Sequence, residues 1–204
     1  MELIGSMFKT DIRAETGIAW EEWIARLEEE GAASLSRDRL EQHLRQVPEA
    51  GDKWAPIIAG MYEQMRGIKQ VGWTADAGFQ IGVRKTAAVA KPTVWRTLLS
   101  PAGLKLWLGD LEALPLAPKQ AYESKDGVVG EIRSVVPQQK LRLTWQPRHW
   151  DNPSTLQIYL LAAANGRTTI SFHQERLDDL YVREMMRRRW DLAADRLIEM
   201  MAKN

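Results

Sequence analysis

The apolar residues between Leu180 and Ala202 recur at steps of three and four, which is the spacing of one face of an α-helix. No Gly or Pro interrupts this stretch, and Asp178 and Asp179 precede it, where an acid caps or complements the first turn of a helix. We therefore predict a helix of ~35 Å, at ~1.5 Å per residue, that needs a partner surface of similar length. The residues of its buried stripe are Val182, Met186, Trp190, Ala193, Leu197 and Met201, widened by Met185, Ala194 and Ile198.

Alternating or apolar runs before this helix predict strands. Two short helices are expected between the first two runs, because Pro92 and Pro101 each stand near the start of a helical apolar pattern. The later runs are separated only by short turn-forming segments such as Asn165-Gly166, so they must form an antiparallel meander. The predicted strands are 79–89, 120–124, 128–136, 140–146, 155–164 and 168–175, and the short helices are 91–99 and 100–109.

Three amphipathic helical patterns precede the first strand. The first contains Trp20 and Trp23 and ends at Gly31, the second follows Ser36, and the third contains Trp54 and ends near residue 67. We therefore predict an N-terminal three-helix module at residues 1–69, a linker at 70–78 and a second domain at 79–204. The whole fold class is α+β, with a curved antiparallel sheet wrapped on the long C-terminal helix.

The charge of the chain gives little support to a nucleic-acid partner. The 28 basic and 27 acidic residues nearly cancel, and residues 1–70 carry nine basic against thirteen acidic side chains. A helix-turn-helix is an alternative for the three N-terminal helices, but the third offers only Glu63, Gln64 and Arg66 to a DNA groove. Acids flank the run Arg187-Arg188-Arg189, which we interpret as a solvated helical face.

Candidate chemistry is sparse. There is no cysteine, and the three histidines have no metal-ligand spacing, so we predict no metal, no cofactor and no catalytic residue. His173 shares a strand face with Ser171 and Glu175 and is expected to point away from Ile170 and Phe172. We find neither a signal peptide nor a stretch of ~20 apolar residues, which predicts a cytoplasmic protein without a membrane span.

Two sets of motifs carry resemblances to known families. The N-terminal pattern resembles a short bacterial helical domain of unknown function that often precedes a ligand-binding fold, and this likeness implies no reaction. It rests on Thr16-Gly17, Trp20-Glu21-Glu22-Trp23, Gly31, Leu40, Leu44, Trp54 and residues 62–67, Tyr-Glu-Gln-Met-Arg-Gly.

The second set, in its order along residues 79–201, resembles the START-like, or SRPBCC, superfamily of helix-grip proteins. Within that superfamily it is similar to homologues of the activator of heat-shock-protein-90 ATPase. The motifs are Lys91-Pro92-Thr93-Val94-Trp95 with Leu104, Trp107 and Leu108, then residues 127–132, 141–145 and 168–175.

This resemblance implies a cavity between the sheet and the long helix that binds a small hydrophobic or amphipathic ligand without catalysis. For each wall residue the alternative is an ordinary core position, and only an open cavity would separate the two interpretations. The predicted cavity residues are Trp95, Leu99, Trp107, Ile132, Trp145, Tyr159, Ile170, Phe172, Met186 and Trp190.

Two other functions stay open as alternatives. Some relatives of the fold are aromatase/cyclase-like enzymes acting on aromatic or polyketide substrates, for which Glu131, Arg133, Tyr159 and Gln174 would be the polar cavity groups. The family name also suggests a stress-related, co-chaperone-like interaction module, which an exposed patch on Trp20, Trp23 or Trp54 would favour. A homodimer is left open as well.

Overall fold

The computed structural model describes residues 6–68, 73–74 and 78–203. By its contacts the chain divides into two compact units, Met1–Ala75 with Asp178–Glu184, and Asp76–Leu177 with Met185–Asn204. Within the predicted linker, residues 70–72 and 75–77 lie outside the described part, and Trp73–Thr74 form the two-residue strand β1. The first unit thus includes residues 178–184, an assignment that the sequence patterns did not predict.

The first unit is helical. Its elements are α1 (Ser6–Thr16), α2 (Trp20–Glu29), a 3-10 turn (Ala32–Ser34), α3 (Arg37–Arg45) and α4 (Gly51–Met65). The predicted three helices correspond to α2, α3 and α4, and α1 is an additional helix. Its apolar signal is short, because only Phe8 and Ile12, one turn apart, are fully buried.

An aromatic cluster forms the core of the first unit. The ring centroids of Phe8 and Trp20 lie 5.0 Å apart edge to face, and Trp54 stacks on Tyr181 at 5.6 Å. Burial, and then a hydrogen bond to Asp11, raise the pKa of Tyr181, whose hydroxyl donates to Asp11 Oδ2 at 2.7 Å. Trp20 and Trp54 are buried within this cluster, and Trp23 is also buried, so none of the three forms the exposed patch that would favour a protein partner.

The second unit contains the sheet and the long helix. Its strands lie in the order β2-β7-β6-β5-β4-β3, with every pair of neighbours antiparallel. Asn165 and Gly166 both have positive φ, 60° and 70°, as a tight hairpin between β6 and β7 requires. The elements are β2 (Gly78–Ala87), α5 (Lys91–Leu99), α6 (Pro101–Trp107), β3 (Ala121–Glu123), β4 (Val128–Val136), β5 (Lys140–Pro147), β6 (Ser154–Ala162), β7 (Thr168–Leu177) and α7 (Leu180–Ala202).

This arrangement confirms the predicted α+β helix-grip fold. Cross-strand pairing places Val83, Phe172 and Ile158 on one face of the sheet. Trp190 of α7 stacks on Phe172, so this is the inner face that the helix covers. Lys85, on the same face of β2, binds Asp195 at 2.6 Å and Asp191 at 3.0 Å, and these hydrogen bonds raise its pKa.

The start of α7 is capped as its preceding acids predict. The backbone N–H of Val182 donates to Asp179 Oδ1 at 2.8 Å, and Asp179 is fully buried. None of the helices in residues 6–68 and 78–203 is long and apolar enough to cross a membrane.

Replacing Asp179 by Ala should lower the free energy of unfolding by about 0.5–2 kcal/mol, because α7 loses a side-chain cap. Asp179→Asn keeps a side-chain oxygen for the Val182 N–H and should cost clearly less. Urea unfolding followed by far-UV circular dichroism measures both variants. Equal losses in the two would contradict a capping role for Asp179.

Candidate functional site

Most of the predicted cavity residues form a packed interior in the second unit. A water-sized cavity would leave accessible surface on the side chains that line it. The residues of this set have almost none, so the interior around them is packed. The set comprises Trp107, Ile132, Trp145, Ile170, Phe172, Met186 and Trp190, of which none is more than 3% exposed.

Three predicted cavity residues lie elsewhere. Tyr159 is a correction: it pairs with Ser171, so alternation along the strands places it on the outer face, opposite to Phe172. There its hydroxyl donates to Gln157 Oε1 at 2.8 Å. Trp95 and Leu99, on α5, are only half-buried.

A chain of buried hydrogen bonds fixes the central tryptophan. The Trp190 indole N–H donates to Gln174 Oε1 at 2.7 Å, and Gln174 Nε2 donates to Ser154 Oγ at 2.7 Å. Ser154 Oγ donates in turn to the backbone carbonyl of Trp145 at 2.8 Å. Because each partner is at most 2% exposed, this chain joins α7 to β7, β6 and β5 inside the core.

Aromatic rings surround this chain. Trp190 lies parallel to Phe172, with an angle of 3° between the rings and 5.2 Å between their centroids. Trp145 meets Trp190 edge to face at 5.8 Å, and Trp150 meets Trp145 edge to face at 5.2 Å. We call the rings of Trp145 and Trp190 the aromatic surface; both are buried, at 2% and 0% exposure.

Arg189 lies on this aromatic surface. Its guanidinium carbon is 5.2 Å from the Trp145 ring centroid and 5.7 Å from that of Trp190. One guanidinium nitrogen donates a long hydrogen bond, of 3.5 Å, to the backbone carbonyl oxygen of Trp107. The side chain is solvent-accessible, and yet the surrounding protein desolvates the guanidinium and lowers its pKa.

The acid whose charge acts on Arg189 is Asp126. Burial works to raise the pKa of Asp126, but hydrogen bonds from Ser124 and the Asp110 backbone N–H, with the charge of Arg189, lower it overall. Among the described residues, no carboxylate lies within 4.0 Å of Arg189. The guanidinium therefore feels a nearby negative charge but forms no ion pair with it.

A second donor without an acceptor belongs to the same surface. Among the buried side-chain nitrogen and oxygen atoms of the described residues, the indole nitrogen of Trp145 has no hydrogen-bond partner. Trp145 is 2% exposed and lies under the Arg189 guanidinium. Buried donors are nearly always paired, so an unpaired indole N–H here is a notable feature of the site.

Arg189 is exposed, as its interpretation as part of a solvated face expects, and the sequence patterns missed only its contact with the rings of Trp145 and Trp190. Arg187 and Arg188 are exposed, as that interpretation expects. Arg189 stands three residues after Met186 and four before Ala193, which places it on the flank of the buried stripe. This position on the helix was the feature of the sequence from which a contact between Arg189 and the buried side chains could have been predicted.

The remaining polar candidates do not converge on this surface. His173 lies on the outer face as predicted, 3.0 Å from Glu175 Oε1, and Glu131 pairs with Arg133 at 2.8 Å. Gln174 is on the inner face, where its amide oxygen accepts a hydrogen bond from Trp190 and its amide nitrogen donates one to Ser154. Within the described residues, no group of three or more His, Cys, Asp or Glu side chains is placed to hold a metal ion.

The first unit has an open surface groove of about 610 Å³. Two of its charged lining residues pair with each other, since Lys9 Nζ lies 2.8 Å from Glu21 Oε1, and this hydrogen bond lowers the pKa of Glu21. The groove is lined by Lys9, Thr10, Arg13, Ala14, Ala19, Trp20 and Glu21. It shows no aromatic surface with an unpaired donor of the kind found in the second unit.

Comparison with known proteins identifies the family. Residues 88–202, more than half of the chain, match the family described as Activator of Hsp90 ATPase homolog 1-like protein. The chain belongs to this family. Its fold is the START-like helix-grip fold, and the family has a ligand-binding fold. None of the curated proteins matches this chain.

Solved structures show the same fold at low sequence identity. Protein MLL2253 from Mesorhizobium loti is 19% identical with a TM-score of 0.53, covering 61% of this chain and 98% of its own. CalU16 from Micromonospora echinospora is 16% identical with a TM-score of 0.51, covering 60% of this chain and 74% of its own. DynU16, from the dynemicin biosynthetic locus, is 17% identical with a TM-score of 0.52, covering 60% of this chain and 47% of its own.

Replacing Gln174 by Met should lower the free energy of unfolding by about 1–3 kcal/mol, because the buried Trp190 N–H and Ser154 hydroxyl lose their shared partner. His173→Met, at the next position on the outer face, is the matched control and should cost less. Chemical unfolding followed by tryptophan fluorescence measures both. A loss for Gln174→Met no larger than the control would contradict an anchoring role for this amide.

Proposed function

We propose that the second unit binds a small amphipathic ligand, without catalysis, between its sheet and α7 and beside Arg189, where the buried rings of Trp145 and Trp190 must give way to admit it. The observation that carries the proposal is the indole N–H of Trp145, which is buried without a hydrogen-bond partner among the described residues and lies under the exposed side chain of Arg189. Buried donors are nearly always paired, so an unpaired one calls for an acceptor from outside the chain.

Two features support binding at this place. The family has a ligand-binding fold, and the resemblance to helix-grip proteins leads us to expect the ligand between the sheet and the long helix. Apolar ligand surface placed on the indoles would contribute about 25 cal/mol per Å² removed from water. Because the interior around Phe172 and Trp190 is packed, we propose that the ligand rests at its Arg189 edge, and enters further only if those side chains move.

The enzymatic alternative has no observation in its favour. Of the four polar groups that it would use, only Gln174 is on the inner face, and its amide is already occupied by Trp190 and Ser154. Tyr159, Glu131 and Arg133 bind neighbours other than the aromatic surface. We therefore propose binding rather than turnover.

Thermal unfolding of the full chain tests the proposal. A ligand that binds only the folded protein, at one hundred times its Kd, stabilises it by about 2.7 kcal/mol. For a chain of this size that corresponds to a rise in Tm of roughly 5–10 °C. We expect such a rise with at least one member of a panel of medium-chain and aromatic acids and alcohols, and a retained small molecule in native mass spectrometry of protein from its own host.

Two variants localise the effect. Trp145→Phe should reduce the ligand-induced rise in Tm, because it changes the proposed surface. Trp23→Phe, in the core of the first unit, should leave the rise unchanged, although it shifts the Tm of the free protein. No retained mass and no rise in Tm across the panel would contradict the proposed function.

A further inference from the structure

We propose that the first unit controls access to the ligand region of the second by holding the first turns of α7. This inference rests on the proposed function and deepens it, because it names the regulation of the same site. Both units share α7, since Asp178–Glu184 belongs to the first unit and Met185–Asn204 to the second. Trp190, which must give way to a ligand, lies on the second part of this single helix and is fully buried.

Three side chains of the first unit hold Tyr181, in the first turn of α7. The Tyr181 ring stacks on Trp54, with 5.6 Å between the centroids and an angle of 15°, and its centroid lies 5.4 Å from that of Phe8. The hydroxyl donates to Asp11 Oδ2 at 2.7 Å. A hydrogen bond to a charged group contributes more than one between neutral groups, so this contact ties the start of α7 firmly to α1.

The neighbouring residue, Leu180, is held by α4. Its backbone N–H donates to Gln64 Oε1 at 3.2 Å. A Cβ on Gly60 would lie 2.1 Å from Leu180 Cδ2, so the close approach of this side chain to α4 requires a glycine there. We call the groups that hold Leu180 and Tyr181 the clamp, and they belong to Phe8, Asp11, Trp54, Gly60 and Gln64.

A ligand between the sheet and α7 displaces the helix itself. The Trp190 ring is fully buried, lies 5.2 Å from the Phe172 ring and donates its N–H to Gln174. A ring in such a packed interior has no room to rotate, so it gives way only when the backbone that carries it moves. Room for a ligand therefore requires a displacement of α7.

This displacement reaches the clamp because α7 is stiff. The helix contains no Gly or Pro, which removes the usual causes of a kink. Its later turns are held by the ion pairs of Asp191 and Asp195 with Lys85, so the half before Trp190 is the part that moves. Leu180 lies ten residues before Trp190, about 15 Å along the helix axis, and moves with it. The clamp therefore opposes the movement that admits a ligand, and its release increases the population of the binding-competent state.

Hydrogen–deuterium exchange mass spectrometry of the full chain, without ligand, tests the clamp. Tyr181→Phe removes the hydroxyl donor, and we expect the amides of residues 185–190 to exchange about 10-fold faster, as the loss of a hydrogen bond to a charged group predicts. Gly60→Ala should act in the same direction, because its Cβ displaces Leu180. Tyr159→Phe, which removes a hydroxyl on the outer face of the sheet, is the matched control and should leave these amides unchanged.

Isothermal titration calorimetry with octanoate, 1-octanol and 2-naphthoate then measures access to the site. A probe that binds the wild-type protein should bind Tyr181→Phe about 10-fold more tightly, because more of the variant is in the binding-competent state. Tyr159→Phe should keep the wild-type affinity. Circular dichroism checks that each variant is folded, and Tyr181→Phe, which loses a single oxygen atom, decides the question if Gly60→Ala does not fold.

The possible failures are distinguishable. Faster exchange confined to residues 178–184, or a probe affinity of Tyr181→Phe no higher than that of the wild-type protein, would overturn the control of access and leave the proposed ligand binding standing. Binding of a probe by the clamp variants alone would support the inference. Failure of every probe to bind the wild-type protein and both clamp variants would overturn the proposed function and the control of access together.

Discussion

The second unit depends on one buried hydrogen bond, from the Trp190 indole to the Gln174 amide. An indole N–H that is fully buried needs an acceptor, and Gln174 supplies it while binding Ser154 with its other end. This connection fixes the rotation of α7 over the inner face and sets Trp190 parallel to Phe172. It also determines the direction of the preceding residue, Arg189, which is turned to the flank of the helix and onto Trp145.

The consequence is a cation at the edge of an aromatic core. Lys85 carries the other inner-face cation of this region that we have described, and it is paired with Asp191 and Asp195 of α7. Arg189 differs because the acid that acts on it, Asp126, is held by Ser124 and the Asp110 N–H. The structure thus contains one inner-face cation, Lys85, that binds α7 to the sheet, and a second cation, Arg189, only two residues before Asp191, the nearer of the two acids that Lys85 binds.

Local patterns predicted the fold well where one physical signal dominates. The long apolar stripe gave the bounds of α7, 180–202, and the requirement for positive φ identified the hairpin at Asn165-Gly166. Helix α1 was missed because its signal is a single pair, Phe8 and Ile12. The site was harder to predict, since Tyr159 was assigned to the wrong face of its strand, and the contact of the exposed Arg189 with the ring of Trp145 depends on the register of β5 under α7.

The most direct measurement is the nuclear magnetic resonance signal of the Trp145 indole N–H, assigned among the nine tryptophans by its loss in Trp145→Phe. An N–H that gains an acceptor moves downfield in its proton shift. Our account predicts such a movement when a member of the ligand panel that raises the Tm is added. A Trp145 signal that stays in place while that ligand binds would contradict binding beside Trp145 and Arg189.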